Sequence, residues 1–188
     1  MSKQVEAVEK TLCALGRGDI KRAEKIIADE YPFKPFVRYT RSYTINQKMI
    51  QFKKDGFIDR YSGKKLINPG VLKVLSYYLP VPFPYQKNWK MTECHIAYWE
   101  LCPTIDHIRP IAMGGRDEPE NWATTSMLNN SIKSNWTLEQ MRWSLYEPGD
   151  FNAWDGLTKQ FIAIAEDHCE LLQDNYIKSW YKASLHIL

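Results

Sequence analysis

The chain has 188 residues and a net charge of +3, long enough for one hydrophobic core with an appendage. Its 44% hydrophobic and 25% charged residues are ordinary for a globular protein, and seven tryptophans with eleven tyrosines exclude a low-complexity tail. The four cysteines lack paired spacing, no run reaches the length of a membrane span, and the N-terminus has no apolar signal core, so a reducing cytoplasm without a membrane partner is the expected setting.

The charge is unevenly spread. Residues 1–30 are neutral, residues 31–92 carry +10, residues 93–133 carry −3 and residues 134–188 carry −4. A basic block beside an acidic one suits a polyanionic partner handled together with a cation.

In chain order, residues 3–15 read as a helix ended near Gly16 and Gly18, and Asp19 as the N-cap of a second helix over 20–30. This helical hairpin packs on the body or pairs with another copy. From Tyr31 to Lys54 there are six basic side chains and no acidic ones: Lys34, Arg38, Arg41, Lys48, Lys53 and Lys54. Aromatic residues sit among them. Residues 37–40 alternate like a strand, and Ile45 to Phe52 is a strand or a short helix. Two readings stand for this region. It is a surface that contacts phosphates and stacks on bases, or a solvated basic face over buried aromatics. Phe57 to Leu66 reads as a hairpin turning at Ser62-Gly63. Asn68-Pro69 opens a helix through Leu79, and Pro80, Pro82 and Pro84 enforce an extended connector. Thr92 begins a further helix through Leu101, on which His95 and Glu100 read as packed residues ahead of ligands.

The stretch Pro103 to Lys133 carries the chemistry. Thr104 to Ile108 is a β-prone run with an adjacent acid and imidazole, Asp106 and His107, and Pro110 ends it. Gly114-Gly115 and the polar residues after them form a loop. Trp122 to Thr125 is a second β-prone run, and Ser126 caps a helix reaching Asn130 and Lys133. Asp106 and the Asn130 side-chain oxygen are hard donors that suit one divalent cation, Mg²⁺ first and Mn²⁺ next. An imidazole such as that of His107 can take a proton from an attacking water. Lys133 can set a charge beside a phosphate. Arg109 and Arg116 either contact phosphate or are solvated. Alternation along a strand points Asp106 and His107 to opposite sides, so a shared site requires a twist or bulge there. Beyond the stretch, Thr137 to Gln140 is a capping box for a helix through Trp143, and 147–155 is a loop. Leu157 to about His186 is a long amphipathic helix or two, with Phe161, Ala165, Cys169, Leu172, Tyr176 and Trp180 along one stripe.

Pro103 to Lys133 resembles the HNH, or ββα-metal, nuclease motif. The family's Asp-His pair falls on Asp106-His107, and its hydrophobic-x-Pro on Ile108-Arg109-Pro110. Its middle asparagine falls on Asn121, its second metal ligand on Asn130 and its trailing lysine on Lys133. The resemblance implies an α+β protein with a short β-hairpin and helix embedded in a mostly helical single domain. It implies a DNA endonuclease with one cation on Asp106 and Asn130, and with His107 as general base. Asn121 then braces the loop and the histidine, and Lys133 steadies the phosphate. Lys34, Arg38, Arg41, Lys48, Lys53, Lys54, Arg109 and Arg116 are the expected DNA contacts. Many members carry a structural zinc on two C-x-x-C pairs. Here those positions fall on Asp59, Ser62, Ser126 and Asn129, none of them a soft ligand, so hydrogen bonding or packing is expected to stand in for the zinc.

The layout that follows has a hairpin over 1–30, a basic DNA-binding region over 31–92, a catalytic core over 93–136 and a helical brace over 137–188. A catalytically silent DNA-binding module of the same fold is the alternative. A structural protein with Asp106 and the asparagines as turn and cap residues is a third reading. Cutting two strands needs two active sites, which leaves a homodimer open. Restriction, phage-defence and mobile-element roles are equally open.

Overall fold

The computed structural model describes residues 2–35 and 42–188. The chain falls into two units, Met1–Val37 and Arg38–Leu188. The expected strand over 37–40, and with it Arg38 and Arg41, lies outside the described residues. The expected catalytic core and brace share the second unit with residues 38–92 of the expected basic region, whose first residues, 31–37, belong to the first unit.

The first unit is a pair of helices, α1 (Lys3–Gly16) and α2 (Ile20–Glu30). Gly18 turns the chain with φ 75°, and the Asp19 carboxylate accepts the Arg22 N–H to start α2. Small residues Ala7, Ala14 and Ala23 are the buried ones, and Lys10 pairs with Glu30 at 2.7 Å.

The second unit is α+β. Thr44 and Gln47 make a capping box that starts α3 (Ile45–Lys54), settling the strand-or-helix alternative by placing Met49 and Phe52 on one buried face. Asn68 starts α4 (Pro69–Tyr78) by accepting the Gly70 N–H. The expected extended connector is instead a turn, closed by the Phe83 N–H on the Leu79 carbonyl. The expected helix from Thr92 shortens to α5 (Ala97–Glu100). His95 accounts for this, since its N–H donates to the Pro84 carbonyl and its Nδ1 accepts the Ala97 N–H. Its ring stacks on Phe83 at 4.1 Å, so His95 is a packing residue.

Strands β1 (Pro103–His107) and β2 (Trp122–Ser126) pair antiparallel, in unbroken register from Pro103 opposite Ser126 to His107 opposite Trp122. Helix α6 (Met127–Lys133) follows at once, with Ser126 as its cap. Then come α7 (Leu138–Met141), α8 (Thr158–Asp167) and α9 (Asn175–Ile187). The long C-terminal stripe is interrupted at a 3-10 turn, Cys169–Gln173, because the Asp174 carboxylate caps a new helix. Cys169 is therefore exposed, and Leu171 enters the core in its place.

Phe52, Phe57, Phe161, Leu171, Ile177 and Trp180 form the main core, and Ile105 of β1 plugs the hairpin into it. Buried Asn68 also donates to the hydroxyls of Thr158 and Ser184, so one cap residue ties α4 to α8 and α9. Among the described residues no helix is long and apolar enough to cross a membrane.

Residues 55–66 strap the outer side of β2. The Arg60 N–H donates to the Thr124 carbonyl, and the Thr124 N–H donates to the Asp55 carboxylate, each at 2.8 Å. Asp55 is fully buried and also accepts from Gln51 and Arg60. Asp59 accepts from the Ser126 N–H, the Asn129 amide, the Tyr61 N–H and the Thr125 hydroxyl, at 2.9 to 3.2 Å. Asp59, Ser62, Ser126 and Asn129 line one cavity of about 150 Å³. The carboxylate thus joins three of the four positions where a zinc knuckle would carry cysteines, Asp59, Ser126 and Asn129, while the Ser62 N–H donates to the Asp59 carbonyl at 3.2 Å. An ionised, buried carboxylate is stable only when its lone pairs are taken up in this way.

Asp59→Ala strands two buried backbone N–H groups and is expected to cost about 3 kcal/mol or more, read from the urea unfolding midpoint. A zinc chelator is expected to leave the wild-type midpoint where it is.

Candidate active site

The hairpin register decides where the Asp106-His107 pair points. The strand carries no bulge, so the two side chains leave on opposite faces and meet different partners. This corrects the expectation of a local distortion that would aim both at one point.

The Asp106 side lies toward the strap and α6. Its Oδ2 accepts from the Tyr61 hydroxyl at 2.7 Å and from the Lys133 ammonium at 2.7 Å. Both bonds fall on Oδ2, and no further one falls on Oδ1 among the described residues. Burial beside Asp106 pushes the Tyr61 phenol well above its ordinary range, so it stays protonated as a donor. Lys133 has 0% side-chain exposure. Its ammonium also donates to the His107 carbonyl at 2.7 Å and lies over the Tyr61 ring. The expectation that Lys133 meets a phosphate is therefore corrected. The residue is an internal clamp between α6 and β1, because a buried ammonium must be fully engaged. Asn130 lies three residues before Lys133 on α6, hence on the same side of the helix, and is half-buried.

The His107 side lies toward the loop and α3. The imidazole is 1% exposed. Its Nε2 lies 2.8 Å from Asp117 Oδ1 and 3.1 Å from the Tyr43 hydroxyl. The same Asp117 oxygen accepts from the Tyr43 hydroxyl at 2.8 Å and from Trp122 Nε1 at 2.9 Å. Burial pushes the Asp117 carboxyl up, but the bonds from His107, Tyr43 and Trp122 outweigh it and hold the group below the usual carboxylate range.

Asn121 holds the loop between the strands. Its Oδ1 accepts the Arg109 N–H at 2.8 Å, and its amide donates to the Arg109 and Arg116 carbonyls at 2.9 and 2.8 Å. Gly114 takes φ 82°. Gly115 must lack a side chain, since a Cβ would overlap the Arg109 carbonyl and press on the Asn121 amide.

The expected DNA contacts divide. Arg116 is 81% exposed, with Glu118 at 3.7 Å, and Lys34 is exposed within the first unit. Lys48 is half-buried. Lys53 donates to the Ile187 carbonyl and lies over the Phe151 ring. Lys54 reaches the Pro119 carbonyl at 3.4 Å, and Arg109 Nε donates to the Met113 carbonyl at 3.0 Å. Glu100 is exposed at the rim of the Asp59 cavity.

Among the described residues no three His, Cys, Asp or Glu side chains are grouped to hold a metal ion. The expected donors are one carboxylate and one amide, a smaller set. Asp117, Tyr43 and Tyr61 are the site residues that sequence reading misses. Tyr43 stands 64 positions from His107 and Tyr61 45 from Asp106, so only folding makes them neighbours. Asp117 had a faint signal as a carboxylate ten residues past His107, in a loop pinned by two glycines and an asparagine.

Lys133→Met leaves the Asp106 carboxylate buried without its cation and is expected to cost about 3–5 kcal/mol. Denaturant unfolding measures it, and a loss of DNA affinity at unchanged stability would restore Lys133 to the phosphate. No protein-family model, no curated protein and no solved structure matches this chain.

Proposed function

We propose that the protein is a metal-dependent endonuclease of the HNH type that hydrolyses DNA phosphodiester bonds. The observation that carries the reading is the Lys133 clamp. One ammonium holds both the Asp106 carboxylate and the His107 carbonyl, so α6 and the Asn130 it carries are fixed against the strand that bears the acid and the imidazole.

The donor chemistry fits a hard cation. Among the described residues Asp106 Oδ1 receives no hydrogen bond, Asn130 offers an amide oxygen, and these two would hold the cation. A cation held by Asp106 and Asn130 would supply charge neutralisation at the phosphoryl and leaving oxygens. His107 takes the proton from the attacking water. Asn121 keeps the loop that flanks His107 closed. Tyr61 and Lys133 keep Oδ2 occupied. Arg116, whose side chain is 81% exposed, meets the DNA backbone, with Lys48 as a further contact in the same unit.

One observation favours the alternative of a silent DNA-binding module. Asp106 already faces an ammonium at 2.7 Å, which weakens its hold on a second cation. Plasmid nicking in Mg²⁺ and in Mn²⁺ separates the two. His107→Ala is expected to lower cleavage by at least about 100-fold with DNA affinity unchanged. Asp106→Asn, which spares the fold better than alanine would, is expected to raise the metal concentration needed. If wild type binds DNA and cuts it with neither metal, the silent module stands. Arg116→Ala is expected to weaken binding equally on all sequences and to reduce the salt slope by about 1.

A further inference from the structure

The loop carboxylate beside the histidine has no place in the chemistry described so far. Three donors from three segments converge on Asp117 Oδ1: His107 Nε2 at 2.8 Å, the Tyr43 hydroxyl at 2.8 Å and Trp122 Nε1 at 2.9 Å. Tyr43 precedes α3, Trp122 opens β2 opposite His107, and Asp117 itself lies in the loop. The oxygen is therefore held from two sides that do not involve the imidazole. Its backbone is held as well, because Asn121 donates to the carbonyl of the preceding residue, Arg116.

A carboxylate held below its usual range is ionised and can only accept. A bare Nε2 lone pair at 2.8 Å from it would be repelled. The neutral imidazole must therefore carry its proton on Nε2, and the basic nitrogen of the ring is Nδ1. We infer that Asp117 is the positioning residue of His107, an anchored acceptor that fixes the tautomer and orientation of the ring used in phosphodiester hydrolysis. This deepens the nuclease reading and rests on it for the activity, though not for the tautomer. It also gives Asn121 a route to the imidazole. The asparagine pins the Arg116 carbonyl, that places Asp117, and Asp117 holds Nε2. Tyr43 and Trp122 keep the acceptor in place when the loop is touched by a substrate. Carboxylates in this relation to a working histidine hold it in one tautomer.

The test uses the full-length protein labelled with ¹⁵N at histidine, at a pH where the imidazole is neutral. Wild type is expected to show His107 as the Nε2–H tautomer. Asp117→Ala is expected to give a mixture, and Asp117→Asn to keep the wild-type form, since its amide oxygen can still receive Tyr43, Trp122 and Nε2–H. In plasmid cleavage Asp117→Ala is expected to lower kcat about 10- to 100-fold at unchanged KM, with most of the loss recovered by Asp117→Asn. The Asp117 side chain is 42% exposed, and unchanged melting of both variants checks that they fold. A wild-type Nδ1–H tautomer, or a tautomer indifferent to Asp117→Ala, overturns the inference. So does a lower KM with undiminished kcat in Asp117→Ala, which would make the carboxylate a stand-in anion on the substrate's seat. If the wild type cuts nothing, the nuclease reading falls, while the ¹⁵N spectra still decide the tautomer.

Discussion

A single buried ammonium governs the geometry of this protein's candidate site. Lys133 has no access to water, and the Asp106 carboxylate, the His107 carbonyl and the face of Tyr61 surround its ammonium. Burying such a group costs several kcal/mol that the pairing must offset. The return is orientation. A lysine at the end of α6 reaches back across the hairpin and fixes helix and strand in one arrangement, as a methionine of similar size could not.

The same logic recurs at the strap. Asp55 and Asp59 are buried acids whose lone pairs are spread over backbone N–H groups and side chains of β2, α3 and α6. A two-stranded hairpin alone is marginal in water. Here its outer edge is paired by residues 55–66, its inner face is plugged by Ile105, and its loop is stapled by Asn121. Hydrogen-bonded carboxylates thus carry the cross-linking in a small region with few apolar residues. The consequence for function is rigidity: Asp106 and His107 sit on backbone that is held from the edge, from the core and from the helix.

The two faces of β1 divide the labour. On one, Asp106 is engaged through Oδ2 by a cation and a phenol. On the other, His107 meets a carboxylate that is itself held by a phenol and an indole. The division follows from strand geometry, since adjacent residues on an unbulged strand cannot share a face. A phosphodiester acted on by both would have to reach across the end of the hairpin, where the strand finishes at His107.

Local rules made much of this legible in the amino-acid sequence. Strand, glycine loop, strand and capped helix were readable from Pro110, Gly114-Gly115 and Ser126, because capping and turn chemistry act within a few residues. Asn68 and Thr137 announced helix starts for the same reason. Asp106, His107, Asn121 and Asn130 stood out by type and spacing. Tertiary contacts decided the rest. They buried Lys133, gave Asp59 its four donors, cut the Thr92 helix back to Ala97 by drawing His95 to Pro84, and broke the C-terminal stripe at Cys169. They also brought Tyr43, Tyr61 and Asp117 to the acid and the imidazole. A charge's role depends on which distant groups surround it and whether water reaches it. Sequence spacing carries no record of either, so a lysine that looked like a phosphate ligand became the pin on which the hairpin and its helix are mounted.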